Sequence, residues 1–381
     1  DQSVQGYVRG TLTRGGTSRG LYVTPDRLPP AGERRDEILV ELFGTPDPLQ
    51  IDGIGGGNSH TSKVLIVDES DRPDADVEYT FGQVGIENAT VDWSGNCGNL
   101  TSGVGVFALL SGLVAAESPE TELRLYNTNT GTYVDQIVPI TDGEPAVHGE
   151  YHVDGIPGTG ARIDSYFRDP GGSVTGRLLP TGERRETITV AGEDYPVSIV
   201  DAANPNVFLR ARDLRLDGTE LPDELADSDL LDRLELIRGA ACERLGLVDD
   251  RHDAVDERPA IPQIALVSDP QSFGTVSGGR VDGDDIDITS RIVTTGTPHH
   301  SYATTGAMCL AAATRLDGTI PAEFARETDG LDVTIGHPKG TITIGVETAT
   351  RAGATTVERV RVGRTARLLA DGRLFYRHAP E

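Results

Sequence analysis

Two segments of this chain, VGVFALLSGLV at 104–114 and AMCLAAA at 307–313, are apolar on nearly every face. A helix without a polar stripe has nothing to show to water and must be enclosed. The rest of the chain is mostly short period-two or continuous apolar runs bounded by Gly, Pro, Asn and Asp. GLYVT, SKVLIVD, ADVEYTF, PNVFLRA and AIPQIALV are examples, and all read as strands. Strands far outnumber helices and do not alternate with them one for one, which excludes a doubly wound sheet. The expected class is α+β: two curved, mostly antiparallel sheets, each around one central buried helix. Helices are predicted over 98–114 and 305–316, over 227–245 behind an Asp227/Ser228 cap, and over 34–42.

A weak internal repeat supports this picture. TRGGTSRGLYV near residue 13 resembles DAANPNVFLRA near residue 201, each a small polar turn followed by an apolar strand. Further on, each half reaches a small-residue turn and a buried helix, NCGNLTSGVGVFALL and YATTGAMCLAAA. Repeats of roughly 190 residues indicate duplication, not a solenoid. The expected domains are 1–185 and 186–381, joined by the Gly-, Pro- and Arg-rich crossover FRDPGGSVTGRLLPTGERR. A cleft between duplicated domains is the natural place for a ligand.

Charge narrows the partners. Sixty acidic residues face 34 basic ones, for a net charge of −26, and such a surface repels nucleic acid. Adaptation to a salt-rich cytoplasm is the plain explanation. In molar salt the Debye length is about 3 Å, so an anionic substrate has to be held by short-range contacts. No apolar run is long enough for a membrane span, and the first residues lack the order of a signal peptide, so the expected location is cytoplasmic. Cys97, Cys242 and Cys309 are too few and scattered for a disulfide framework or zinc site, and no metal or cofactor is expected.

Three stretches can carry chemistry. In DWSGNCGNL, Asn96, Cys97, Gly98 and Asn99 fall at the first turn of a buried helix. Unpaired N–H groups there favour an anion and lower a thiol's pKa. Cys97 is then either an acid or base beside a carboxylate pocket, or a small buried hydrophobe. In IDGIGGGNSHTSKV, Ser59 and His60 lead to Lys63 at the start of a strand. This is not a P-loop, because Val follows the Lys and a strand comes next. The chain keeps only two lysines, Lys63 and Lys339. Lys63 is the one beside a polar loop, where arginine would not serve as a proton carrier; Lys339, in GHPKGT, reads as a hairpin turn residue. In TRGGTSRG, Thr17 and Ser18 with flanking Arg14 and Arg19 suit a carboxylate or, equally, a surface hairpin. His299, His300 and Ser301 lie just ahead of the second buried helix, where Thr304, Thr305 and Gly306 repeat the anion-site logic; a capping histidine and a functional one are equally open readings.

Assembled, RGGTSRG, DGIGGGNSHTSKV, DWSGNCGNL, GSVTGRLLPTG, VDAANPNVF and IGHPKG resemble the 2-methylaconitate cis–trans isomerase family over nearly the whole chain. That family includes methylitaconate delta-isomerases and 4-oxalomesaconate tautomerases. The resemblance implies a diaminopimelate epimerase-like fold and a cofactor-free isomerase of a small unsaturated di- or tricarboxylate, with a place in propionate metabolism. Keto–enol tautomerisation and a non-catalytic carboxylate-binding role are the rival readings, and a homodimer is a possible assembly. In the epimerases two cysteines, one at each helix start, act as acid and base. Cys97 matches the first, Ala303 stands where the second would fall, and Cys309 lies inside the helix. The resemblance therefore implies Lys63 with Cys97 as the catalytic pair. It implies Arg14, Thr17, Ser18, Ser59, His60, Asn96, Gly98, Asn99, Asn204, Ser301, Thr305 and Gly306 as substrate contacts.

Overall fold

Strands β1 (Gly6–Gly15) and β2 (Ser18–Val23) form a hairpin in which Gly15 faces Ser18 and Thr11 faces Tyr22. Gly16, at φ 51°, makes the turn, a conformation that glycine adopts without strain. The chain then forms helix α1 (Glu33–Phe43), which lays Ile38, Leu39, Leu42 and Phe43 on the outer face of the sheet. It returns as β3 (Lys63–Glu69), parallel to β2 with Gly20 opposite Lys63. Strand β4 (Val77–Val84) runs antiparallel to β3. Helices α2 (Gly98–Thr101) and α3 (Val104–Leu110) follow, and then a hairpin of Glu120–Asn127 and Thr132–Thr141, whose first strand lies parallel to β4. The computed structural model describes residues 5–377.

All of α2 and five of the seven residues of α3 are buried, as the all-apolar sequence requires. The expected single helix over 98–114 is in fact broken, and the cause is a side chain inserted into its hydrogen-bond ladder. Gln136 Oε1 accepts from Gly105 N–H at 2.8 Å, and its Nε2 donates to Thr101 O at 2.9 Å. Those two backbone groups would otherwise bond each other. Tyr22 likewise donates its hydroxyl to Leu100 O. A Cβ on Gly105 would fall 2.3 Å from Gln136 Oε1, so the insertion needs glycine there.

The second unit repeats this order of pairings. Glu193–Ala202 and Asn204–Arg210 form a hairpin, and Gln263–Ser268 lies parallel to the latter. Ile288–Thr294 is antiparallel to that strand and parallel to Asp332–His337, which forms a hairpin with Gly340–Arg351. The helix Ser228–Arg244 takes the place of α1. The helix Thr304–Thr314, buried from Thr304 to Ala313, takes the place of α2 and α3. The duplication read from weak sequence similarity is therefore present as identical topology. Lys339 occupies the tight turn between Asp332–His337 and Gly340–Arg351, as expected.

The expected boundary at 185/186 differs from the observed one. The chain up to Ser165 forms one compact unit together with the segment from Gly363 onward, and Tyr166–Val362 forms the other. The reason is pairing: Ala366–Tyr376 runs antiparallel along the free edge of β1, from Gly6 opposite Tyr376 to Gly15 opposite Ala366. The crossover 172–176 belongs to the second unit. There the buried carboxylate of Asp201 accepts from Ser173 Oγ, Val174 N, Thr175 N and Thr175 Oγ1 at 2.7–2.9 Å.

Candidate active site

Strand alternation decides which candidates share a face. Tyr22 on β2 and Tyr79 on β4 turn inward, toward Leu100 and Thr101 of α2. Lys63 at the start of β3 and Gln83 on β4 are directly paired. Lys63 Nζ donates to Gln83 Oε1 at 2.8 Å and stands 5.1 Å from the Phe81 ring centroid. The same ring borders the loop that carries the thiol, since a Cβ on Gly95 would lie 3.4 Å from it. One aromatic floor thus adjoins both Lys63 and the Gly95–Cys97 turn.

That turn is held from outside the face. Trp93 Nε1 donates to Asp36 on α1 at 3.1 Å, and the Arg35 guanidinium lies 4.2 Å from the indole. Asn129 donates to Phe81 O at 2.9 Å and Trp93 O at 2.7 Å, and accepts from Phe81 N–H at 2.7 Å, which joins β4 to the loop.

Cys97 is the N-cap of α2, in extended backbone, half-buried and free of any disulfide. Its carbonyl accepts the first helical bond, from Thr101 N–H at 3.0 Å. The N–H groups of Gly98, Asn99 and Leu100 precede that bond and face the helix start. Burial pushes the hydroxyls of Tyr22 and Tyr79 well above their ordinary value, and the nearby Cys97 adds to both shifts. Both hydroxyls are held in hydrogen bonds, Tyr22 to Leu100 O and Tyr79 with Thr101 Oγ1. Beside the thiol, the buried Oδ1 of Asn96 has no hydrogen-bond partner.

Other candidates are already engaged within the first unit. Asn99 Oδ1 accepts from Thr17 N–H at 3.3 Å and from Arg364 Nε at 3.1 Å, and Asn99 Nδ2 donates to Thr17 Oγ1 at 3.2 Å. Asn99 and Thr17 thus fasten the β1–β2 turn to α2. Arg364 is fully enclosed, and burial draws its guanidinium down to about 10. Arg14 lies on the other face from Thr13 and Gly15, because alternate residues on a strand point oppositely. It donates to Gly16 O, Thr365 O and Thr365 Oγ1, each at 3.0 Å, so it buttresses the turn and does not join the Lys63 face. Arg19, its cross-strand partner, sits on that same outer face. Ser18 is buried at the hairpin. Ser59 and His60 lie in a single helical turn capped by Asn58 Oδ1, and Ser59 O accepts from Gln83 Nε2 at 3.1 Å.

The second unit holds the remaining candidates. Asn204 Nδ2 donates to Thr305 Oγ1 at 3.0 Å, and Ser301 N–H donates to His299 Nδ1 at 3.0 Å, the capping role open to that histidine. Ala303 is the N-cap of Thr304–Thr314, the position Cys97 holds on α2. Cys309 donates its thiol to Val200 O at 3.3 Å, and burial pushes its pKa up. Gln263 stands first in its strand, as Lys63 does in β3. The second unit thus carries an alanine and an amide where the first carries a thiol and an amine. Gln83 and Phe81 were not candidates from sequence, because only strand register places them beside Lys63, and Asn129 reaches Phe81 and Trp93 from a turn distant in sequence. Among the described residues, no three His, Cys, Asp or Glu side chains gather as a metal site, and no helix is long and apolar enough to cross a membrane.

A family model described as PrpF protein matches residues 6–377. The chain belongs to the PrpF family. Within it, 3-methylitaconate isomerase of Eubacterium barkeri is 40% identical over 371 residues, 97% of this chain and 97% of the relative. The 2-methyl-aconitate isomerase of Shewanella oneidensis is 36% identical over 380 residues, 96% of each chain. A crystal structure of methylitaconate-delta-isomerase superposes with a TM-score of 0.84 at 39% identity, covering 98% of this chain and 97% of that one. A hydroxyproline epimerase, 13% identical with a TM-score of 0.56, shares the fold alone. These relationships make the chain an enzyme of the isomerase class with an epimerase-like α+β fold.

Proposed function

We propose that the chain isomerises a small unsaturated di- or tricarboxylate by moving an allylic proton, with 2-methylaconitate as the lead substrate. The observation that supports this is the Phe81 ring, which adjoins both Lys63, held by Gln83, and the Gly95 loop leading to the half-buried Cys97 at a helix start. Lys63 acts as the general base and takes a proton from the carbon next to the double bond. The electron pair left behind spreads through the double bond into a carboxylate, giving a dienolate. Backbone N–H groups of Gly98 and Asn99 stabilise the developing negative charge. Bond order falls in that intermediate, so the former double bond rotates or shifts before a proton returns from the Cys97 thiol or the Lys63 ammonium. Asn96, with its buried Oδ1 unsatisfied, is the neighbouring group for a substrate hydroxyl or protonated carboxyl.

Turnover in deuterium oxide tests the scheme: the allylic carbon of recovered 2-methylaconitate should gain deuterium. Isomerisation without any exchange would sink the proton-transfer mechanism. Lys63→Ala should lose about 10²–10⁴ of kcat, the range expected for a general base, while circular dichroism stays unchanged; an active variant reassigns the base. Delta-isomerisation of methylitaconate is the second reading, favoured by the 40% identical relative and the solved structure. It uses the same residues, and a panel of both acids and 4-oxalomesaconate separates the readings by kcat/KM.

A further inference from the structure

Gln83 makes three hydrogen bonds, and together they fix its amide. Its Nε2 donates to Ser62 O at 2.9 Å and to Ser59 O at 3.1 Å. Two carbonyls at one end leave only one orientation, so Oε1 has to face Lys63, whose Nζ donates to it at 2.8 Å. Both residues sit at one register position of β3 and β4, so their separation is set by the ladder and not by a flexible loop. Phe81, two residues along β4, offers its ring to the same amine at 5.1 Å.

A lysine stem has four rotatable bonds, and an unheld amine samples many positions. We propose that Gln83 is the positioning residue that aims the Lys63 amine and keeps it aimed throughout the proton cycle. The chemistry favours an amide over a carboxylate at this place. An amine donates N–H whether it carries two hydrogens or three, so its bond to a neutral acceptor survives both loss and gain of the proton. A carboxylate would instead lock the lysine as ammonium and remove it as a base. The Phe81 ring face adds attraction for the ammonium once the proton has arrived. Because Nε2 also fastens the 59–62 turn, one side chain couples the polar loop before β3 to the orientation of Lys63. The second unit has no such pair, since Gln263 stands where Lys63 would be.

The inference rests on Lys63 as the base, and the test separates the two. With only Lys63 and Lys339 in the chain, lysine labelled with carbon-13 and nitrogen-15 gives two Cε resonances, assigned with Lys339→Arg. Their shifts and line widths are compared at one pH in the parent, Gln83→Glu and Gln83→Met proteins. Gln83→Met should move and narrow the Lys63 resonance as the freed amine samples more positions, while the Lys339 resonance stays in place. In kinetics, Gln83→Met should lose about 10²-fold in kcat with KM little changed, as misplacement of a reacting group does, and Gln83→Glu should lose at least as much, because a carboxylate holds the lysine as ammonium. A Lys63 resonance unchanged in both variants overturns the inference, and if one variant does not fold the other decides. A resonance that moves while kcat stays put keeps Gln83 as the positioning residue and removes Lys63 as the base.

Discussion

Replacing Gln136 with leucine tests whether an inserted side chain holds the broken helix behind Cys97. Gln136 is fully buried on Thr132–Thr141, bonding Gly105 N–H, Thr101 O and Ser165 Oγ at 2.8–2.9 Å. Gln136→Leu keeps the volume and deletes all three bonds. Two backbone groups in a dry interior are orphaned, at about 1–3 kcal/mol each, so the gross loss is about 2–6 kcal/mol. A buried leucine returns about 1.5–3 kcal/mol of transfer free energy, so the midpoints of the two ranges leave a net destabilisation of about 2 kcal/mol. Trp93, the only tryptophan, lies in this unit, so its fluorescence during urea unfolding reports on the affected half. Stability unchanged or increased in Gln136→Leu would refute the reasoning, because it would mean that Thr101 and Gly105 close their own helical bond once the amide is gone.

Asp201→Asn should destabilise the second unit by about 2–4 kcal/mol, because an NH₂ then opposes donors that had met a carboxylate. Limited proteolysis should then cut within 172–182 sooner, and an unchanged cleavage rate would argue against the clamp. Glu323 is held below its ordinary value of 4.5, chiefly by its hydrogen bonds to Arg210, with Arg185 and Arg212 adding charge. Its native pKa is the lower one, so its contribution is present above pH 4.5 and is lost as pH falls through the native value. The parent should therefore lose stability more steeply than Glu323→Gln below pH 4.5 in urea titrations at low salt; equal slopes would remove this group as a contributor.

Much of the architecture was legible because it is written locally. The apolar faces of 104–114 and 307–313 announced enclosed helices, and period-two runs announced the strands. The cap at Asp227 holds as read, its side chain accepting from Leu230 N–H at 3.0 Å. Duplication was visible even though the two halves share little more than turn chemistry, because the same order of turns and apolar runs has to recur to build the same pairings. Cys97 and Lys63 stood out for similar reasons. A thiol at the mouth of an all-apolar helix, and a lysine retained in a chain rich in arginine, are properties of composition and of neighbours in sequence.

What the sequence could not determine depends on which distant residues become neighbours. Arg14 looked like a carboxylate ligand, yet one step of strand alternation puts it on the opposite face from Thr13 and Gly15, bound to Thr365 at the far end of the chain. Asn99 looked available and instead ties the β1–β2 turn to α2 and Arg364. The domain boundary moved because the last strand finds its partner on β1, a pairing that periodicity cannot assign when many strands share one pattern. Gln83 gave no signal at all, since nothing in TFGQVG marks it as lysine's partner until register sets Lys63 opposite it. The sequence by itself determined the elements and the buried helices, and it singled out Lys63 and Cys97 as candidates. Tertiary structure decided the face each residue occupies and the neighbour that aims it, because hydrogen-bond register and strand alternation are fixed only when separate segments pair.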